Sequence, residues 1–241
     1  MRLASFLSRA DAQRAGTTLR KLQDHKIASL VLTGGFAIEM HRMRIGLEPM
    51  IRPLHDIDFL ARLFNEIPAT LAMDFFFRHV HPDVPPARTL MQAVDPETAV
   101  RVDVFRAYGK EMDRAVVLEG TDGGMRIISL EDLVARTARL CLDLASDTPI
   151  PGKRARDFLR LLPTIESAAI EAVWKEHRKP FHPESFREAA SLLSRLIPAR
   201  AGLQIVPVYS RDFESKCLRC EAISAFPLAD GRRIFSLLGY C

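Results

Sequence analysis

The sequence predicts an α+β fold, in which a β-sheet flanked by helices is followed by a helical C-terminal subdomain. Three observations lead to it. An apolar run, Ala28 to Leu32, stops at Thr33-Gly34-Gly35 and gives way to the helix formers Phe36, Ala37, Ile38 and Met40, as a buried strand does when it ends in a turn that needs glycine freedom. His55-Asp56-Ile57-Asp58-Phe59-Leu60 then alternates polar and apolar with the period of a strand. From Ser129 onward the apolar positions recur at helical spacing, and Pro163, Pro180 and Pro183 divide them into segments.

In chain order, Asp11 to Lys26 is an amphipathic helix with Ala15, Leu19 and Leu22 on one face. The strand, the glycine turn and a helix from Phe36 to about Arg44 follow, and Glu39 and His41 on that helix are read as solvent-exposed. Ile67 to Phe77 is read as an apolar helix covering the sheet. His79 and His81 alternate in a proline-rich loop, HPDVPP, that suits a surface turn better than a rigid ligand set. Arg88 to Ala93 and Ala99 to Ala107 are strands joined at Asp95-Pro96-Glu97. Ala115 to Glu119 and Met125 to Ile128 flank a hairpin turn at Asp122-Gly123-Gly124. Ser129, with Asp132 three residues on, starts a helix running to about Asp143. Helical segments then cover Leu159 to Leu162, Ile165 to Trp174 and Pro183 to Leu196. The resulting division is a core over 1–128, a helical subdomain over 129–198, and an extension over 199–241 that carries Cys217-Leu-Arg-Cys220.

At 241 residues, with 48% hydrophobic and 27% charged residues, the chain has globular composition and enough length for a large core. A formal charge of +4 favours phosphate-bearing partners and equally fits a solvated basic surface. The sequence contains no apolar run of membrane-spanning length, and Met1 to Ala10 is too short and polar for a signal peptide, so a cytoplasmic location is expected. The four cysteines do not form a disulfide framework. Cys217 and Cys220 are half a zinc site, for which only Cys241 and scattered histidines such as His177 and His182 remain, so thiols are the expected reading.

The candidate chemistry lies between Thr33 and Asp103. A helix opening at Gly34-Gly35 turns its first N–H groups toward the turn, a seat for phosphate. Asp56 and Asp58 project from one face of a strand, where two carboxylates repel each other unless a cation lies between them. Magnesium takes one or two carboxylates and completes its octahedron with water and phosphate oxygens, so the pattern points to metal plus nucleotide. Asp103 stands within a strand on the face opposite Val100, Val102 and Val104. It is either a functional acid, an edge position, or a partner for Arg101 or Arg106.

The glycine turn, the Asp-hydrophobic-Asp-hydrophobic strand and the later in-strand acid together resemble the signature of the polymerase-beta-like nucleotidyltransferase superfamily. Within it the sequence looks most like the AbiEii-type nucleotidyltransferases, which include toxin components of toxin-antitoxin pairs. The resemblance covers roughly Ile27 to Leu162, with a longer spacer between Gly35 and Asp56 than the commonest form. It implies a nucleotidyltransferase-like mixed β-sheet, an NTP substrate and Mg2+, with two ions allowed. It makes Asp56, Asp58 and Asp103 metal-binding and catalytic, and it assigns the nucleotide to Thr33, Gly34, Gly35, Lys153 and Arg156. Ile128 to Arg136 and Lys153-Arg154-Ala155-Arg156-Asp157 match the helix and basic stretch of the family. Thr137 stands where the family often carries a lysine, with Arg136 and Arg139 adjacent. The resemblance also implies a hydroxyl acceptor, on RNA, a protein or a small molecule, and an antitoxin-like protein partner. The alternative reading is a catalytically degenerate chain of the same fold that binds nucleotide, RNA or a partner protein. Taken alone, Gly34-Gly35 would be an ordinary turn, and Asp56 and Asp58 would be surface acids.

Overall fold

A computed structural model describes residues 3–78, 90–118, 124–147, 150, 152–164 and 167–201 of the chain. His79, His81, Cys217, Cys220, Cys241 and nearly all of the 199–241 extension lie outside the described residues.

Helix α1 (Arg9–Asp24) starts at Ser8, whose hydroxyl accepts a hydrogen bond from the Asp11 amide at 3.1 Å, and it buries Ala15, Leu19 and Leu22 as the periodicity predicts. The strand predicted over Ala28 to Leu32 is displaced. Lys26 takes a left-handed backbone conformation, Ile27–Ser29 form a 3-10 turn, and extension begins only at β1 (Val31–Thr33). Helix α2 (Gly34–Arg44) follows directly. β2 (Asp56–Ala61) has the predicted alternation, with Ile57 and Phe59 fully buried.

Residues 67–77 are not a continuous helix. A 3-10 segment at Ala69–Met73 gives way to β3 (Phe76–Arg78), paired antiparallel with β4 (Leu90–Val94). Pro68 limits the segment at its start, and the neighbouring β4 supplies the backbone partners that an aromatic run prefers over another helical turn. β5 (Arg101–Arg106), the short α3 (Glu111–Arg114), β6 (Val116–Val117) and β7 (Arg126–Ile127) complete the sheet region. The strand order is β3-β4-β5-β2-β1-β7-β6; β2–β5 and β1–β7 are parallel and the other pairs antiparallel. The chain is thus α+β, with a mixed sheet flanked by helices.

Helix α4 (Leu130–Asp147) packs on α5 (Gly152–Leu161), α6 (Ser167–His177) and α7 (Phe186–Ala201), and α4 and α5 also meet α2. Its start is fixed by Ser129: the hydroxyl accepts from the Asp132 amide at 3.1 Å and donates to the Asp132 carboxylate at 2.6 Å. Among the described residues no helix is long and apolar enough to cross a membrane.

Glu39 and His41 are buried, contrary to the exposed positions expected of them. His41 Nε2 donates to the Ile128 carbonyl at 2.7 Å, tying α2 to the end of β7, and burial holds its pKa below the ordinary value. Glu39 accepts from Arg52 Nε at 2.5 Å, from the Met50 amide at 2.9 Å, and from both Nη atoms of Arg160. Arg52 Nη2 donates in turn to Asp157 at 2.5 Å. Burial pushes the Glu39 carboxyl up, yet the bonds from Arg160, Met50 and Arg52 leave it below its usual range. This network joins α2, the 45–55 loop and α5.

Replacing Arg52 by Ala leaves two buried carboxylates short of a cation. We expect Arg52→Ala to lower unfolding free energy by about 3 kcal/mol, read from the urea midpoint; a loss below about 1 kcal/mol would contradict the network's assigned role.

Candidate active site

Sheet register assembles the site. Thr33 lies opposite Asp58 across the antiparallel β1–β2 pair, and Asp58 lies beside Asp103 across the parallel β2–β5 pair. Asp56 and Asp58, two residues apart, share a strand face, and Asp103 joins them from the neighbouring strand. Oxygens of Asp56, Asp58 and Asp103 all lie within 4.8 Å of one another. The long spacer between Gly35 and Asp56 returns the chain so that β2 pairs directly with β1.

Gly34 sits beneath this cluster. Its φ is +65°, a conformation that suits glycine, and a Cβ there would collide with the Asp58 carboxylate. The glycine requirement therefore comes from backbone angle and from close approach together. At Gly35, an added Cβ would come within 3.4 Å of Arg52 Nη1, so the buried ion network described above braces the start of α2.

Loss of hydration pushes the Asp58 carboxyl up to about 8, with the charges of Asp56 and Asp103 adding to the effect; Arg154 and Lys153 at the start of α5 pull it back. Asp103, 4% exposed, is raised to about 6 by burial, against the opposing charge of Arg101 and a hydrogen bond from Gln92. Arg101 is a cation in direct contact with the cluster: its Nη2 donates to Asp56 at 2.5 Å and its Nε lies 3.1 Å from Asp103 Oδ1. The partner reading of Asp103 is thus correct as far as Arg101 goes, and it coexists with the acid cluster.

The residues fit a hard divalent cation. The donor set is three carboxylates, and two buried oxygens in the region, Thr33 Oγ1 and Asp103 Oδ1, have no hydrogen-bond partner. A second acidic group, Glu111, Asp132 and His177, is equally compact and fully buried, but its charges are already matched. Arg114 forks Asp132 at 2.6 and 2.8 Å, Arg136 reaches Glu111 at 3.0 Å, and His177 Nε2 bonds Asp132 at 3.0 Å. That group ties α3, α4 and α6 together as a core ion network.

The other sequence-selected residues take varied places. Lys153 and Arg154 are half-buried on the first turn of α5, near enough for their charges to act on Asp58. Arg156 is exposed, with its guanidinium on the Met50 sulfur at 3.9 Å. The Thr137 hydroxyl donates back to the Leu133 carbonyl at 2.7 Å within α4. Arg136 and Arg139 lie over the Tyr108 ring at 4.7 and 4.1 Å. His182 bonds Asp143 at 3.0 Å, and with His177 it belongs to the helical layer. The sequence offered Arg101 only as a partner for Asp103 and gave Gln92 and Arg52 no place in the site. Arg101 alone carried a signal, its position two residues before Asp103 on the same strand face.

The chain is similar to several solved structures. It shares 15% identity with the antibiotic-resistance factor ANT(2'')-Ia, over 74% of this chain and 96% of that one, with a TM-score of 0.41. It shares 14% with an antigenic nucleotidyltransferase-like protein of Paracoccidioides brasiliensis, over 79% and 89%, with a TM-score of 0.40. It shares 13% with JHP933 of Helicobacter pylori, over 81% and 95%, with a TM-score of 0.33. At this level the likeness assigns no residue a role. No protein-family model and no curated protein sequence matches the chain.

The raised Asp58 pKa has a stability consequence with a definite sign. Below the ordinary carboxyl value of 3.8 the group is protonated in both states and costs nothing. As pH climbs from there to about 8 the unfolded chain ionises first, so the metal-free native state progressively loses stability. We expect Asp58→Asn, in EDTA, to gain on the wild type progressively across this window, by about 1 kcal/mol per pH unit. A difference that stays flat with pH would contradict the burial and crowding assigned to the Asp58 carboxyl.

Proposed function

We propose that the chain is a Mg2+-dependent nucleotidyltransferase that moves a nucleotidyl group from an NTP to a hydroxyl acceptor, in the manner of the AbiEii-type enzymes its motifs resemble. The observation that carries this reading is the acid cluster, with the Asp58 carboxylate set directly over the Gly34 turn at the start of α2. Anion seat and cation seat are thereby adjacent, as a metal-bound triphosphate requires.

In this reading Asp56, Asp58 and Asp103 hold the divalent ion, and the Gly34-Gly35 turn at the head of α2, with Thr33 beside it, receives the phosphates. An ion bound there would neutralise charge developing on the phosphates during in-line displacement. Lys153 and Arg154 add positive charge on the same side as Asp58, and Arg156 extends the basic edge of α5. In this reading Asp103, whose Oδ1 makes no hydrogen bond although it lies 3.1 Å from Arg101 Nε, accepts the proton from the attacking hydroxyl. The acceptor oxygen bonds to the α-phosphorus, the bond to the β-phosphate oxygen breaks, and pyrophosphate leaves. The net positive charge supports RNA over a neutral acceptor, and the AbiEii likeness supports an antitoxin-like protein partner.

One observation favours the second reading, a degenerate chain that binds nucleotide without transferring it. Thr137 bonds its own helix and Arg136 is committed to Glu111, so the positions on α4 nearest the expected lysine are engaged elsewhere.

Incubation with each labelled NTP, Mg2+ and total RNA separates the two. We expect label transfer and pyrophosphate release by the wild type, loss of both transfer and Mg-NTP binding in Asp56→Ala/Asp58→Ala with the fold retained, and, in Asp103→Asn, retained binding with transfer reduced by about 100-fold or more. Mg2+-dependent NTP binding without transfer would select the second reading; normal Mg-NTP binding by the double variant would overturn both.

A further inference from the structure

Arg101 heads β5 directly beside Asp56 on β2, and it precedes Asp103 by two residues on the same face. The parallel register therefore sets its guanidinium among the three acids. Nη2 occupies one Asp56 oxygen with a 2.5 Å hydrogen bond. Nε lies 3.1 Å from Asp103 Oδ1, but the two are not aligned as donor and acceptor, and both atoms are buried without a hydrogen-bond partner. The guanidinium thus neutralises Asp103 without saturating it, leaving that oxygen open as a ligand. With all three carboxylates ionised, as a bound ion requires, the acids and the guanidinium in direct contact with them carry a net charge of −2, which a single divalent ion balances. Two ions spaced about 3.5–4 Å apart, as in two-metal sites, would each need carboxylate oxygens from this one cluster. The forked side chain already engages one such oxygen and crowds a second.

We infer that Arg101 stands in for a second cation, so that without nucleotide the site takes one divalent ion, while Arg101 supplies the remaining positive charge to Asp56 and Asp103. The inference rests on the metal-site reading proposed above. It makes Arg101 a positioning residue that sets the number of ions. A bond that merely joined β2 to β5 would affect stability alone.

The test counts Mn2+ bound per chain by electron paramagnetic resonance on the full-length protein without nucleotide. We expect one ion for the wild type, none at this site for Asp58→Asn, and two for Arg101→Gln, with the first about tenfold tighter than in the wild type. Arg101→Lys, which restores the charge, should return the count to one. If Arg101→Gln does not fold, Arg101→Met, which keeps much of the stem's bulk, is measured in its place. Two ions on the wild type, or one ion at unchanged affinity on the variant lacking the charge, would overturn the Arg101 inference and leave the metal site standing. A wild type that binds no Mn2+ would remove the metal site and the inference together.

Discussion

Three carboxylates within a few ångströms of half-buried sheet repel one another unless a proton or a cation lies between them, and the surrounding structure is built around this constraint. The β2–β5 register sets Asp58 beside Asp103, and the i, i+2 geometry of β2 adds Asp56. Hydrophobic pairing on the other face, where Ile57, Phe59, Val102 and Val104 are buried, fixes that register, because a slip of one residue would send the apolar set to the polar side. Core packing thus holds the acids in a repulsive arrangement. The raised pKa values of Asp58 and Asp103 express first the burial of the two carboxyls and then this repulsion.

The surrounding structure holds the cluster against the start of α2. Gly34 permits contact with Asp58 that any side chain would block, and α2 is in turn held by buried polar bonds on two sides. Glu39, Arg52, Asp157 and Arg160 bind it to α5, while His41 binds it to Ile128 at the head of α4. The basic first turn of α5 and the acids of β2 and β5 are consequently fixed relative to one another. Removing one member of such a network leaves an uncompensated buried charge, so its value lies in position more than in net stability.

The parts legible in sequence were those with a local pattern. The Thr33-Gly34-Gly35 stop, the Asp56/Asp58 alternation, the in-strand Asp103 and the Ser129 cap each follow from a few consecutive residues. What depended on distant partners was not legible. Residues 67–77 form an apolar run without a decisive period, and pairing of Phe76–Arg78 with β4 decides between helix and strand. Glu39 resembled any helical glutamate because Arg52 and Arg160, which bury it, lie 13 and 121 residues further on. Arg101 could be placed near Asp103 by strand period, but its bond to Asp56 needed the register between strands 45 residues apart in sequence.

In the proposed reading, Asp56, Asp58 and Asp103 form a divalent-cation seat facing the Gly34 turn. The most direct measurement is anomalous diffraction from crystals grown with Mn2+ and a non-hydrolysable NTP. An anomalous peak is expected between these three carboxylates, with nucleotide phosphates at the head of α2. A manganese peak elsewhere, or nucleotide bound away from Gly34 and Gly35, would contradict it.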